Sequence, residues 1–492
     1  MPTHVLTRQR SVLLVLYGTL VAGWLGFARW GAPATIVAAH EGKSLPYLNR
    51  LVRGTGVPLS LEQVFTNWSN FTWAVVLAIV AHFMVVLFID LFNRWNDKHV
   101  PQSARRADRW IDRLLVLLAL AFFALAVLAG GIQDYFLYLA MWRGVWTGHD
   151  PWALTFGAFG DYPLNAYGPL FNVLAVPAWI NLLFPKLLFA LAHLGFAIWL
   201  IKEEGADRRR SLPGNLLLVL WLFNPYLWIE IPCFGHFDIL VGICCVVAVA
   251  ARRRGRDERS AIAVGLGVLI KFMPIVLLPF LILDGKRYRF RLLAVALGVI
   301  AAGFLISVLI WGTSTFRPLT FAARRTTQHL SIFRFLNGTN SPLSWIGLHE
   351  DTSILAGPLL LLALLRAWNW SRKNQIDPLV SSVLAILIMI TLYPVGFPQY
   401  QIVLFVLATF WLTREGQPKR ARPLVYAAMG CHFGWMAAFV VTESVVNIDT
   451  LGMQEWIGLP TFILECLLGA AIVHSAQAVE TNPDLDHACC QP

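Results

Sequence analysis

Charge is scarce in this chain. Asp, Glu, Lys and Arg make up 14% of its 492 residues, against about 25% in an ordinary soluble domain. Hydrophobic residues make up 57% and the mean hydropathy is +0.63, so too little polar surface exists to wrap a water-soluble fold. A disulfide framework is also missing. Of the seven cysteines, Cys233, Cys244, Cys245, Cys431 and Cys466 lie in or beside apolar runs, where the thiol packs as a small hydrophobe. Cys489 and Cys490 sit in a polar tail that could accept palmitate. No cysteine and histidine set has zinc spacing, so no metal site and no cofactor are expected, with a divalent cation left open. Low-complexity tracts and a strong internal repeat are absent too. An inverted-repeat transporter would show matching interrupted spans in its two halves; here the marked breaks fall in the middle third.

What fills the chain is apolar runs of about 20 residues, the length that crosses a bilayer as a helix. The fold class is therefore all-α: a polytopic helical membrane protein of about 12–14 transmembrane helices. The basic residues sort by side. Of 39 Lys and Arg, 26 fall in loops that alternate to one side, which marks that side as cytoplasmic. This pattern, and not a continuous basic face, accounts for the net charge of +11, so nucleic acid is not an expected partner. Both termini are expected in the cytoplasm. Arg8 and Arg10 precede an apolar run, and Ala32-Pro33-Ala34 resembles a signal-peptidase site, but the run is longer than a usual signal core and is read as an uncleaved first helix.

Two segments break the count of spans. If 168–184 crossed the membrane, Arg208, Arg209 and Arg210 would land outside. The segment carries Pro169, Pro177, Asn172 and Asn181, and reads as an interfacial piece on the outer face. The run Ala261–Leu283 is one span long, yet arginines flank both ends and Lys271 and Pro274 interrupt its centre. A re-entrant hairpin satisfies both flanks, with its tip at Lys271 to Pro274.

The densest chemistry lies between Gly131 and Asn172. Asp134, Asp150 and Asp161 stand among Tyr135, Tyr138, Trp142, Arg143, Trp146, His149, Trp152, Tyr162 and Tyr167. Acidic groups beside aromatic faces suit a sugar, whose C–H faces stack and whose hydroxyls need acceptors. Other candidates join them on the same outer side: His236 and Asp238 in a tight turn, Lys271 at the hairpin tip, Arg324 and Arg325 in the outer loop 313–352, and Gln399 and Tyr400 in a late turn. Each has a plainer reading. Tyr and Trp gather at membrane interfaces anyway, an aspartate past a helix end can simply solvate that end, a lone histidine is commonly a satisfied polar group, and loop arginines can simply face solvent. Lys271 is hardest to dismiss, because an ionisable group at membrane depth is costly; snorkelling is its plainer alternative. Three sequons, at Asn67, Asn70 and Asn337, fall on the outer side.

Together these motifs resemble a family. Gln133-Asp134-Tyr135, Gly148-His149-Asp150-Pro151-Trp152, Tyr162-Pro163-Leu164-Asn165-Ala166-Tyr167-Gly168-Pro169-Leu170, Asn224-Pro225, Gly235-His236-Phe237-Asp238, the segment from Gly267 to Pro274 with Lys271, and Phe397-Pro398-Gln399-Tyr400 are similar in order and spacing to the GT-C superfamily of polyprenyl-phosphate-sugar glycosyltransferases. The closest resemblance is to bacterial α-mannosyltransferases and the catalytic subunit of the first GPI mannosyltransferase. It implies a polyprenyl-phosphate-mannose type of donor, a glycan or glycolipid acceptor, an extracytoplasmic active site among membrane lipids, inversion at the anomeric carbon, and Asp134 as catalytic base. On this reading Lys271, Arg324 and Arg325 hold the donor phosphate. Tyr135, Arg143, His149, Asp150, Tyr162, Tyr167, His236, Asp238, Gln399 and Tyr400 line the sugar and acceptor. The chain then divides into two extra N-terminal helices (1–110), a GT-C-like module (111–412), C-terminal helices (413–478) and a cytoplasmic tail (479–492). The extra helices depart from the family, whose acid follows the first span. A transporter or flippase of a lipid-linked sugar is the alternative from another class.

Overall fold

The computed structural model describes residues 133–152, 165–203, 221–222, 224–285, 287–323, 327–338, 342–346, 352–413 and 458–480, with 120, 127, 425 and 428 singly. The expected helices of 1–132, residues 215–220 and 223 of the run 215–231, nearly all of the span near 423–442, most of the tail, and Tyr162, Arg324 and Arg325 lie outside these residues. The main helices are α1 (Gln133–Trp146), α2 (Phe184–Glu203), α3 (Asp238–Arg253), α4 (Asp257–Ile270), α5 (Phe290–Trp311), α6 (Ala356–Lys373), α7 (Pro378–Leu392), α8 (Gln401–Leu412) and α9 (Gly458–Glu480). Among the described residues, the strands are two-residue pairs. The protein is an all-α membrane protein, as its apolar runs require.

Three helices among the described residues are long and apolar enough to cross a bilayer: Phe290–Phe321, Thr352–Lys373 and Gly458–Ala476. The 22 residues of α5 extend about 33 Å, the thickness of the hydrocarbon core. Its Leu305, Ile306, Leu309 and Ile310 are exposed, as are Leu361, Leu362 and Leu365 of α6. Such faces suit lipid, not water.

The chain packs as two units. In the first, whose described residues fall within 133–143, 176–203 and 221–237, α2 is preceded by a short helix, Ala175–Ile180. The chain bends sharply at the short break between them. The segment expected to lie at the membrane interface is thus a short helix set apart from α2 by a bend. Trp179 and Ile180 are exposed on it, and Asn181 turns the chain by accepting the Leu183 N–H at 2.8 Å. Inside the unit, His193 of α2 and Trp221 exchange two side chain-to-backbone hydrogen bonds, Trp221 Nε1 to the His193 carbonyl at 3.1 Å and His193 Nε2 to the Trp221 carbonyl at 2.9 Å. The expected continuous helix 215–231 is corrected here. Asn224 accepts the Tyr226 N–H at 3.0 Å and Pro225 opens a new helix, Pro225–Trp228, because a proline is tolerated at a helix start and not within one. That helix widens at once into a π turn, Ile229–Cys233, with Pro232 inside it.

In the second unit, α8 is buried along its whole length and α7 along most of it; α3 and α4 pack beside them. Gly242 of α3 meets Val406 of α8, and Gly265 of α4 meets Val299 of α5. Small residues at such crossings let membrane helices approach closely. The run 261–283 is broken as the flanking charges demanded. α4 stops at Ile270, Lys271 is extended, and a 3₁₀ turn (Met273–Leu277) and a short helix (Leu278–Leu281) carry the chain back to an antiparallel hairpin, Leu283–Asp284 with Arg287–Tyr288. Its two ends meet. Arg289 lies 2.7 Å from Asp257 and 3.0 Å from Asp284, and Arg252 lies 3.2 Å from Asp284. A run whose ends are ion-paired to each other has gone in and come back. The segment 313–352, read from the sequence as one large loop, carries Arg317–Ala323, Ile332–Asn337 and Pro342–Trp345 as short helices.

Candidate functional site

In the first unit, Asp134 occupies the first turn of α1. Aromatic residues on one face of this helix anchor it: Tyr135, Tyr138 and Trp142 pack on one another, and Tyr138 packs on Phe237. The Tyr135 hydroxyl donates to the Leu182 carbonyl at 2.5 Å, and Lys186 Nζ lies 5.8 Å from the Tyr135 ring centroid while donating to the Val127 carbonyl at 3.0 Å. Tyr135 is therefore a buried wall of the site.

Facing Asp134 is His236. Its Nε2 lies 3.4 Å from Asp134 Oδ2, and its Nδ1 lies 2.6 Å from Glu230 Oε2. Side-chain exposure separates the three: 31% for Asp134, 3% for His236 and 2% for Glu230. The local chain dictates this placement. The π turn bends the backbone so that the His236 N–H donates to the Glu230 carbonyl at 3.1 Å, which brings the two side chains together across six residues. Gly235 makes the corner with φ +79°, and a Cβ there would strike the Tyr135 ring; only glycine meets both conditions. Burial works against the imidazolium, but Glu230 and then Asp134 outweigh it and push the His236 pKa up to about 10. At neutral pH the group is a cation between two carboxylates.

A second cluster belongs to the second unit. Lys271 Nζ lies 2.5 Å from Asp238 Oδ1 and 3.6 Å from the Tyr400 ring centroid. Asp238 and Lys271 are both buried. Asp238 begins α3 and Lys271 caps α4, so each charge sits at the favourable end of a helix dipole. Gln399 and Tyr400 are buried in the 3₁₀ turn that opens α8. Also in this unit, Asp150 accepts the Trp152 N–H at 2.9 Å, Trp152 Nε1 donates to the Tyr167 carbonyl at 3.3 Å, and Arg317 donates to the Trp152 carbonyl at 3.2 Å. Asp150 thus shapes a turn. Gly168 donates its N–H to the Ile270 carbonyl at 3.0 Å, and a Cβ there would strike the Leu269 carbonyl. Arg143 and His149 are exposed.

Among the described residues, then, Asp134 is brought to His236, and Asp238 to Lys271 and Tyr400. Glu230 was missed by sequence reasoning, although a carboxylate near the end of an apolar run is itself a signal. Lys186 was missed as well, Arg317 was marked only as one of the arginines of 313–352, and nothing in the sequence foretold their distant backbone partners.

Residues 165–394, just under half of the chain, match glycosyltransferase family 87. This likeness supports a glycosyltransferase function; Glu230, His236, Asp238 and Lys271 lie inside the matched stretch and Asp134 precedes it. No curated protein matches the chain.

Proposed function

We propose that this protein transfers mannose, or a related sugar, from a polyprenyl-phosphate-linked donor to a glycan or glycolipid acceptor on the extracytoplasmic face of the membrane, with inversion. The observation that carries the reading is the partly exposed Asp134 carboxylate backed by a buried histidine and glutamate, in a membrane protein similar to a glycosyltransferase family. The donor phosphate is a good leaving group. The acceptor hydroxyl is a poor nucleophile and needs a base. Asp134 takes its proton as the acceptor oxygen bonds to the anomeric carbon and the bond to the phosphate oxygen breaks. A positioned base of this kind contributes about 10²–10⁴-fold. One displacement with no covalent intermediate inverts the centre.

In this reading Lys271, with Arg324 and Arg325 of the outer loop, binds donor phosphate. Exposed Arg143 and His149, with Asp150, Tyr162, Tyr167, His236, Asp238, Gln399 and Tyr400, serve the sugar and acceptor. The catalytic module is 111–412, and both termini are cytoplasmic. The test is a transfer assay with purified protein, radiolabelled polyprenyl-phosphate-mannose and a glycolipid fraction as acceptor. A labelled product of inverted configuration supports the proposal. Label that crosses a vesicle membrane while remaining on the polyprenyl phosphate assigns the protein as a flippase and overturns it.

A further inference from the structure

Three ionisable side chains meet in the first unit, and the base mechanism above uses only Asp134. The imidazole of His236 lies between the other two carboxylates, with Nδ1 toward Glu230 and Nε2 toward Asp134. This is a chain of groups, not a cage. Among the described residues, no three His, Cys, Asp or Glu are arranged to hold a metal ion.

The order of the chain follows from distance and exposure. At 2.6 Å, the contact of Nδ1 with Glu230 is a charge-assisted hydrogen bond, and a carboxylate can only accept, so Nδ1 carries the proton. Glu230 is buried and tied to His236 a second time through its own carbonyl. The ring therefore has one orientation. Phe234 packs edge-on against it at 6.0 Å between centroids, and the Gly235 corner rests on Tyr135. Its other nitrogen is left facing Asp134 Oδ2 at 3.4 Å. Asp134 is the only one of the three with substantial exposure, so an incoming hydroxyl meets Asp134 and not the pair behind it.

We infer that Glu230 and His236 form a positioning pair: Glu230 fixes the imidazole through Nδ1–H, and the imidazole holds one oxygen of Asp134 through Nε2–H, setting the angle at which that carboxylate meets an acceptor hydroxyl. The inference rests on Asp134 being the base of the proposed transfer. It assigns His236 to the support of the base instead of to direct contact with sugar, and gives a role to Glu230. The architecture parallels the orienting carboxylate and imidazole of hydrolytic triads, with a carboxylate as the terminal group.

The test combines kinetics with a readout independent of activity. Glu230→Gln and His236→Gln keep side-chain size close, and each should lower kcat about ten- to a hundredfold, the effect of losing a charge-assisted hydrogen bond. KM for donor and acceptor should stay within about twofold. The double variant should be no slower than the slower single one, because the residues act as a unit. Glu230→Asp should recover part of the loss. Effects that multiply, or that fall on KM alone, overturn the pair. In parallel, nitrogen NMR of labelled histidine, assigned with His236→Gln, reads the ring directly. Glu230→Gln should shift the Nδ1 signal and Asp134→Asn the Nε2 signal; unmoved signals overturn the pair. If the wild-type protein transfers no sugar, the functional reading fails while these signals still decide the geometry. If Glu230→Gln and Asp134→Asn do not fold, the wild-type ring, assigned through His236→Gln, decides: protonated on both nitrogens at about pH 8 supports the pair, and neutral with a bare Nδ1 overturns it.

Discussion

His236 lies between carboxylates from different parts of the chain, Asp134 3.4 Å from its Nε2 and Glu230, only six residues earlier, 2.6 Å from its Nδ1. A regular helix places residues six apart well around its circumference. The π turn and the glycine corner bring them together. The geometry of the candidate site is thus made by an irregularity, and π turns are frequent at functional sites.

Asp134→Asn should abolish transfer by at least about a hundredfold while leaving folding and donor binding intact. Asp150→Asn should do less, because Asp150 is engaged in capping the Trp152 N–H. Single-turnover rates of the two purified variants check this. A near wild-type rate for Asp134→Asn would make Asp150 the next residue to test.

Lys271 offers a sharper comparison. Lys271→Ala strands Asp238 as a buried charge, which should cost about 3–5 kcal/mol of stability. Adding Asp238→Asn removes that charge and should restore most of the loss in a thermal unfolding scan. If Lys271 also binds donor phosphate, the double variant, though stable, should keep a donor KM raised about tenfold. A donor KM that recovers with stability would leave Lys271 a purely structural role.

Stability should depend on pH through His236. Its folded pKa, about 10, lies above the ordinary value near 6.5, so the folded state binds the proton more tightly than the unfolded one. The stabilisation is complete below about pH 6.5 and is lost as pH rises through about 10. Melting temperature should fall across that window in the wild type and much less in His236→Gln; matching curves for the two would exclude His236 as the source.

Gly235→Ala should disrupt the corner twice over, through its φ of +79° and through collision with the Tyr135 ring. A marked loss of both melting temperature and transfer is expected, whereas Gly148→Ala, also at positive φ but with open space around it, should be milder. Unfolding and transfer measured side by side test the pair.

Topology is checked by labelling. Arg254→Cys should react only with membrane-permeant thiol reagents and His149→Cys with impermeant ones from outside. Both positions are exposed, so access to the reagent depends on the side of the membrane. Labelling of Arg254→Cys from outside would overturn the assigned orientation.

The apolar runs by themselves determined that this is a helical membrane protein, because a bilayer admits only helices and closed barrels and unbroken apolar runs of about 20 residues fit helices, not the short alternating strands of a barrel. Charge placement went further. Arginines at both ends of 261–283 implied a hairpin, since basic loops stay on one side, and the ion pairs of Arg289 and Arg252 with Asp257 and Asp284 close it. Asp134, His236, Asp238 and Lys271 could be nominated one by one, from residue type and position. Their partners could not. The contacts of His236 with Glu230 and of Lys271 with Asp238 depend on a π turn and on the packing of α3 beside α4, and the contact of Arg317 with the Trp152 carbonyl spans 165 residues. Hydropathy and charge are sums over neighbours in the chain and carry sidedness well. Pairing is decided by backbone angles and close packing, where one inserted residue in a turn re-aims a side chain, and only the tertiary structure specifies those.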